Sequence, residues 1–315
     1  MIKPPRLKEG SLIGLAAPAS RPSDPDSLQR GQRTLQKLGF RVKLGRHLLD
    51  SRGYLAGPDA ARAEDLNELF ADREVEAIFC IRGGYGAARL LPLLDFDLLQ
   101  DHPKVFLGYS DITALELAIL KEIGLVTFYG PMVTSEMAGD FPEVDRDRML
   151  QALTLAQPPR PIEAVAQGEN TVVVRPGRAT GTLVGGCLSV LVSQLGTRYM
   201  PDLDGAILFL EDIGEEPYRL DRYLTQLRLS GKLDRVAGLA LGEFVDCEPR
   251  KERSSFPVSL NLSEVFQDLL GDLGVPVLAG LGFGHGQRKA TLPLGVRASI
   301  DTQKGLLEIL EPAVS

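Results

Sequence analysis

Short apolar runs alternate with helical patterns along the first half of this chain, and that alternation leaves few folds open. Strand-like runs stand near 12–17, 40–44, 76–81, 105–109 and 125–129. The stretches between them include 27–38, with Leu28, Leu35 and Leu38 at helical spacing, and 60–71. Strands separated by helices pair side by side rather than as hairpins, so the pattern predicts a parallel sheet with helices on both faces. Beyond 140 the pattern dissolves into charge and proline (Asp145-Arg146-Asp147-Arg148, then Pro158-Pro159-Arg160-Pro161), which reads as a linker over 141–175. After it the elements change character. A glycine-led helix is expected over 185–195, a buried strand over 206–210, and an amphipathic helix carrying Leu220, Tyr223, Leu224 and Leu227. A hairpin is expected from 296–301 and 306–310, turned at Gln303-Lys304-Gly305. A chain of 315 residues is long enough for two domains, each with its own core.

Charge narrows the choice of partner. Lys and Arg number 35 against 42 Asp and Glu, and the net charge of −7 argues against nucleic acid or an anionic membrane surface. Cys80, Cys187 and Cys247 lie far apart, so neither a disulfide framework nor a thiolate metal site is suggested. The basic start (Lys3, Arg6, Lys8) followed by Leu12-Ile13-Gly14-Leu15-Ala16-Ala17 imitates a signal peptide. Its apolar core is too short, and it reads better as the first buried strand. No run approaches the ~20 apolar residues of a membrane span, and a cytoplasmic location is expected.

Chemistry concentrates at three places. In Gly108-Tyr109-Ser110-Asp111-Ile112-Thr113, a serine sits where a strand should turn into a helix. Such a turn holds a side chain out at the top of a sheet, with the next N–H, that of Asp111, beside it. Ser110 is either a nucleophile or a helix cap, and caps are far commoner. A nucleophilic serine needs a base and an acid to orient it. Of the three histidines, His47 and His102 sit in polar loops, whereas His285 lies in Gly282-Phe283-Gly284-His285-Gly286 after an apolar run. Glycine on both sides lets other backbone approach and leaves the imidazole accessible. Glu211 follows the strand-like Ala206-Ile207-Leu208-Phe209-Leu210, at the end of a strand where α/β sites form. Asp212 is its weaker rival, pointing the other way. The order Ser, Glu, His is that of α/β-hydrolases, but Ile112 stands where their G-x-S-x-G motif needs its second glycine.

The loop Arg82-Gly83-Gly84-Tyr85-Gly86 follows one strand-like run and opens a helical one. It fails the dinucleotide pattern, since Arg89 stands where the third glycine belongs, and no P-loop occurs anywhere. A glycine loop can equally offer a bare N–H to an oxyanion, with no nucleotide required.

Taken together and in this order, these segments resemble the LD-carboxypeptidase family, the serine peptidases that include the murein tetrapeptide carboxypeptidases. The matching landmarks are Gly14-Leu15-Ala16-Ala17-Pro18-Ala19-Ser20, the Arg82–Gly86 loop, the Ser110 segment, Gly130-Pro131-Met132, Gly185-Gly186-Cys187-Leu188-Ser189, Leu210-Glu211-Asp212 with Tyr218, Arg219, Asp221 and Arg222, and Gly284-His285-Gly286. The resemblance implies an N-terminal flavodoxin-like parallel-sheet domain over 1–140 and a C-terminal mixed α/β domain over 176–315 with a small barrel-like sheet. It implies a triad of Ser110, His285 and Glu211, with the N–H groups of Asp111 and Gly84 as the oxyanion hole. Neither cofactor nor metal is expected. The implied substrate is a muropeptide tetrapeptide that loses its terminal D-alanine during peptidoglycan recycling, and the implied assembly is a homodimer. Arg82, Arg219, Arg288 and Lys289 are candidates to meet the substrate carboxylate, and Tyr85 to line the pocket. A microcin C-type immunity peptidase acting on aminoacyl nucleotides stays open, though the chain has no Trp to stack a base. So does a non-catalytic peptide- or sugar-binding module.

Overall fold

The computed structural model describes residues 1–164, 173–249, 256 and 258–315. The chain forms two compact units. One comprises Met1–Pro159, Thr291–Gly295 and Pro312–Ser315, the other Arg160–Ala290 and Val296–Glu311.

The first unit runs β1 (Leu12–Ala16), α1 (Pro25–Lys37), β2 (Arg41–Leu44), α2 (Asp59–Ala71), β3 (Val75–Cys80), a 3₁₀ turn (Ala87–Leu93), α3 (Phe96–Asp101), β4 (Val105–Gly108), a second 3₁₀ turn (Ser110–Ile112), α4 (Thr113–Ile123), β5 (Thr127–Tyr129) and α5 (Glu143–Thr154). Its strands lie in the order β2-β1-β3-β4-β5, all parallel, and β12 (Leu292–Leu294) adds an antiparallel edge against β5. This is the flavodoxin-like order, in which ligands sit beyond the carboxyl ends of the strands near the β1/β3 switch point. The loops after β1 and β3 and the turn after β4, which carries Ser110, all leave from those ends. β1 is fully buried, so the apolar run near the N-terminus is a strand at the middle of a sheet. Its helices supply the faces. In α1, Leu28 and Leu35 are buried, Asp24 caps the first turn by accepting the Asp26 N–H, and Pro25 opens the helix.

The second unit holds β6 (Ile162–Glu163), β7 (Val173–Arg175), β8 (Arg178–Cys187), α6 (Leu188–Ser193), β9 (Ala206–Ile213), α7 (Pro217–Leu229), β10 (Gly238–Val245), α8 (Leu262–Leu270), β11 (Val277–Leu278), β13 (Arg297–Asp301) and β14 (Leu306–Ile309). Their order is β6-β14-β13-β8-β9-β10-β11-β7. The middle, β8 to β11, is parallel, and the flanks are antiparallel, including the expected β13–β14 hairpin. The sheet is mixed, as expected, and among the described residues Ala164, next to β6, forms an antiparallel bridge with Leu281, beyond β11, without a fully paired closure. Among the described residues its end strands β6 and β7 do not pair with each other.

Two expectations about local structure are also revised. The stretch over 141–175 is not a bare linker, because α5, β6 and β7 fall inside it; its residues 165–172 lie outside the described set. The glycine-led helix over 185–195 is instead the end of β8 followed by the short α6. At Gly185 a side chain would run into the Phe209 main chain, so the glycine marks close strand packing. Among the described residues no helix is long and apolar enough to cross a membrane.

Candidate active site

In the first unit, β4 ends at Gly108 and the chain turns sharply through Ser110, whose φ is 64°. A non-glycine residue in this left-handed region costs about 1–2 kcal/mol. The strain raises Ser110 as an elbow would, although the second glycine of that motif is missing. Ile112 is tolerated because Gly108 makes room for it: a Cβ on Gly108 would lie 2.8 Å from Ile112 Cγ2. Ser110 is not a helix cap. Tyr109 holds the cap position of the 3₁₀ turn and Ile112 that of α4, neither with a side-chain bond. The Ser110 N–H donates to Tyr129 Oη at 3.2 Å. Tyr129 is itself buried and meets the Tyr109 ring edge-on. Tyr109 Oη in turn donates to Glu136, whose other oxygen accepts the Met132 N–H. The elbow thus rests on a buried polar chain that sequence reading did not anticipate.

The loop after β3 passes alongside the serine. A Cβ on Gly83 would lie 3.0 Å from Ser110 Cβ and 3.2 Å from its Oγ. Gly84 has φ 106° and faces Ser20, where any side chain would collide with Ser20 Oγ at 2.5 Å. Ser20 pins this loop twice, accepting the Tyr85 N–H at 3.2 Å and donating its own N–H to the Gly83 carbonyl. Arg82 donates to the Arg21 carbonyl at 3.1 Å. Tyr85 is 55 % exposed and meets Tyr54, 65 % exposed, edge to face at 5.4 Å, forming an open aromatic pair beside the loop. The Asp111 carboxylate is buried and accepts the Ala87 N–H at 2.8 Å. Burial pushes its pKa up to about 6. Arg62, from the first turn of α2, is 2 % exposed and donates to the Gly86 carbonyl at 3.0 Å and to the Pro18 carbonyl. Asp59 pairs with both Arg62 and Arg89.

In the second unit, Glu211 lies near the carboxyl end of β9, opposite Cys187 of β8. It is fully buried, and its Oε2 accepts from His285 Nδ1 at 2.7 Å and from the His285 N–H at 3.0 Å. Because a carboxylate only accepts, Nδ1 carries the proton and Nε2 is left as the basic nitrogen. The His285 loop comes this close because Gly284 has φ 96° and no side chain; a Cβ there would meet Glu211 Oε2 at 2.5 Å. Two further groups hold the loop. Glu243 accepts the N–H groups of Gln287 and Arg288, and Lys289 Nζ donates to the Gly284 carbonyl at 2.9 Å. Asp212 faces away from His285 toward α6, where it accepts the Ser189 N–H at 2.8 Å. Burial pushes its pKa up to about 6. Arg219 bonds Tyr218 Oη and pairs with Glu215, so of the cationic candidates it, Lys289 and Arg82 are each engaged within their own unit.

Known proteins align with the chain over nearly its whole length. The LD-carboxypeptidase N-terminal domain matches residues 13–130 and the LD-carboxypeptidase C-terminal domain matches 180–300. A probable murein peptide carboxypeptidase of Bacillus subtilis is 41% identical, over 99% of this chain and 95% of that protein. The microcin C7 self-immunity protein MccF of Escherichia coli is 31% identical, over 91% of this chain and 88% of that protein. The crystal structure of a muramoyltetrapeptide carboxypeptidase from Oxalobacter formigenes has a TM-score of 0.83 at 33% identity, covering 95% of this chain and 99% of that one.

Proposed function

Because this chain belongs to the LD-carboxypeptidase family, we infer that it is a serine carboxypeptidase that releases terminal D-alanine from muropeptide tetrapeptides by cleaving an L,D-peptide bond. Ser110 supplies the nucleophile. Its hydroxyl attacks the carbonyl of the L-configured centre that precedes D-alanine, and His285 Nε2 takes the proton. Glu211 keeps Nδ1 protonated and stabilises the imidazolium that forms. The N–H groups of Asp111 and Gly84 hold the oxyanion, each contributing roughly 3 kcal/mol to lowering the barrier. His285 then protonates the departing amine of D-alanine, and water, deprotonated by the same histidine, hydrolyses the acyl-enzyme.

The observation that carries this reading is the left-handed Ser110 at the carboxyl end of β4, a strained position that a capping serine has no need of. The buried 2.7 Å Glu211–His285 pair supports it independently. The test is D-alanine release from an L,D-tetrapeptide by the wild type and by Ser110→Ala. Release is expected from the wild type only. A serine-directed phosphonate should label Ser110 and fail to do so in His285→Ala. Release that persisted in Ser110→Ala would move the nucleophile elsewhere.

The relation to MccF and the exposed Tyr54–Tyr85 pair favour a second reading, cleavage of an aminoacyl nucleotide. Preferential cleavage of an aminoacyl adenylate analogue over the tetrapeptide would replace the first reading with this one.

A further inference from the structure

The residue after the nucleophile contributes more than its N–H. The Asp111 side chain is 7 % exposed and reaches back across the site to the loop after β3. Its Oδ2 accepts the Ala87 N–H at 2.8 Å, and the nearby Gly86 N–H helps to hold its charge. From the other side, Arg62 donates to the Gly86 carbonyl and draws the Asp111 charge toward itself. The peptide group between Gly86 and Ala87 is therefore gripped at both ends, its N–H by an anion and its carbonyl by a cation. That grip matters because Gly83, Gly84 and Gly86 make the loop soft on its own.

We propose that the Asp111 carboxylate is a positioning residue, which sets the spacing of the two oxyanion donors by fastening the Gly84 loop to the Ser110 turn. The inference rests on the assignment of Ser110 and of those two N–H groups under the proposed function. A carboxylate suits the task better than a neutral acceptor, since it can take two N–H groups at once and each charge-assisted bond is about twice as strong as a neutral one. Burial without compensation would be costly, and Arg62 supplies the compensating charge. With a pKa near 6, raised by burial and held from going higher by the two N–H donors and Arg62, the group is ionised at neutral pH.

A purely structural role would lower the fraction folded and leave the turnover of folded enzyme alone. The experiment is therefore kcat and KM for D-alanine release by Asp111→Asn and Asp111→Ala, normalised to the folded fraction from circular dichroism. Alongside it, the second-order rate of phosphonate labelling at Ser110 is measured, which uses the oxyanion hole but not the peptide substrate. Asp111→Ala should lose about 100-fold in kcat and in labelling rate, with KM within about threefold of wild type. Asp111→Asn, which keeps one acceptor oxygen in the same place, should lose about tenfold. If the alanine variant does not fold, the asparagine variant decides alone. Wild-type kcat and labelling rates in the folded asparagine variant would overturn the proposal, as would a loss confined to KM. Wild-type enzyme that labels at Ser110 but releases no D-alanine would refute the substrate reading instead, and the labelling rates of the variants would still decide the role of Asp111.

Discussion

At the scale of the residue, the proposed nucleophile is held in a conformation its own side chain resists. Ser110 at φ 64° carries a strain of about 1–2 kcal/mol that a glycine would not feel. Ser110→Gly should therefore be more stable than Ser110→Ala by about 1 kcal/mol in urea titrations, the relief being offset in part by glycine's freedom in the unfolded chain. Equal midpoints for the two variants would mean that the turn is not strained. Much of the proposed site carries a signal in the sequence, because each of its proposed triad side chains sits in a local context with a mechanism: Ser110 after an apolar strand, His285 between glycines, Glu211 at a strand end. Arg62 could not. Beside Asp59 in an alanine-rich helix it reads as a surface ion pair, and its burial depends on the Pro18 and Gly86 carbonyls, which belong to distant segments. Tyr129 and Glu243 were hidden for the same reason, since their partners lie on other strands and loops.

At the scale of the element, helix α4 shows how far burial overrides ordinary side-chain preference. Nearly all of it is buried, including Glu116, whose two carboxylate oxygens find no hydrogen-bond partner among the described residues. Burial raises the Glu116 pKa well above its ordinary value. Above the ordinary pKa the unfolded chain gives up this proton while the folded chain retains it, so folding stability falls as pH rises toward the folded value. Glu116→Met, of similar length and apolar like its neighbours, removes that loss. It should raise the unfolding temperature at pH 8 by clearly more than at pH 5, as followed by circular dichroism. A gain of the same size at both pH values would show that Glu116 does not titrate differently on folding. The strands of the first sheet and the helices that cover it were legible because their periods differ. Helix α5 was not, because Asp145-Arg146-Asp147-Arg148 resembles a solvated linker, while the buried Met149, Ala152 and Leu153 are too few to reveal a face. The end of β8 was mistaken for a helix because glycines there mark the closeness of β9, which only the sheet order reveals.

At the scale of the whole molecule, the first unit is not a continuous piece of chain. Its sheet is completed by β12, where Leu292 pairs with Tyr129 and Leu294 with Thr127, and Pro312–Ser315 returns to it as well. Local periodicity cannot reveal this, since a three-residue strand carries no period and its partner is more than a hundred residues away. A boundary placed by composition therefore puts these segments with the second unit. The consequence can be measured on a fragment ending at Pro159. That fragment would keep every parallel strand of the first sheet and leave β5, whose Tyr129 accepts the Ser110 N–H, as a bare apolar edge. It would also lose the burial of Leu292, Leu294 and Val314, all at or near zero exposure. At about 1.5–3 kcal/mol for each such side chain, the loss reaches several kcal/mol. That is comparable with the 5–15 kcal/mol that holds a typical domain together. The fragment is thus expected to aggregate or to unfold without a cooperative transition. A fusion that restores 288–315 through a flexible linker should recover a cooperative thermal transition. A soluble, cooperatively melting fragment without those residues would mean that the five parallel strands and their helices suffice, and that β12 is an accessory edge.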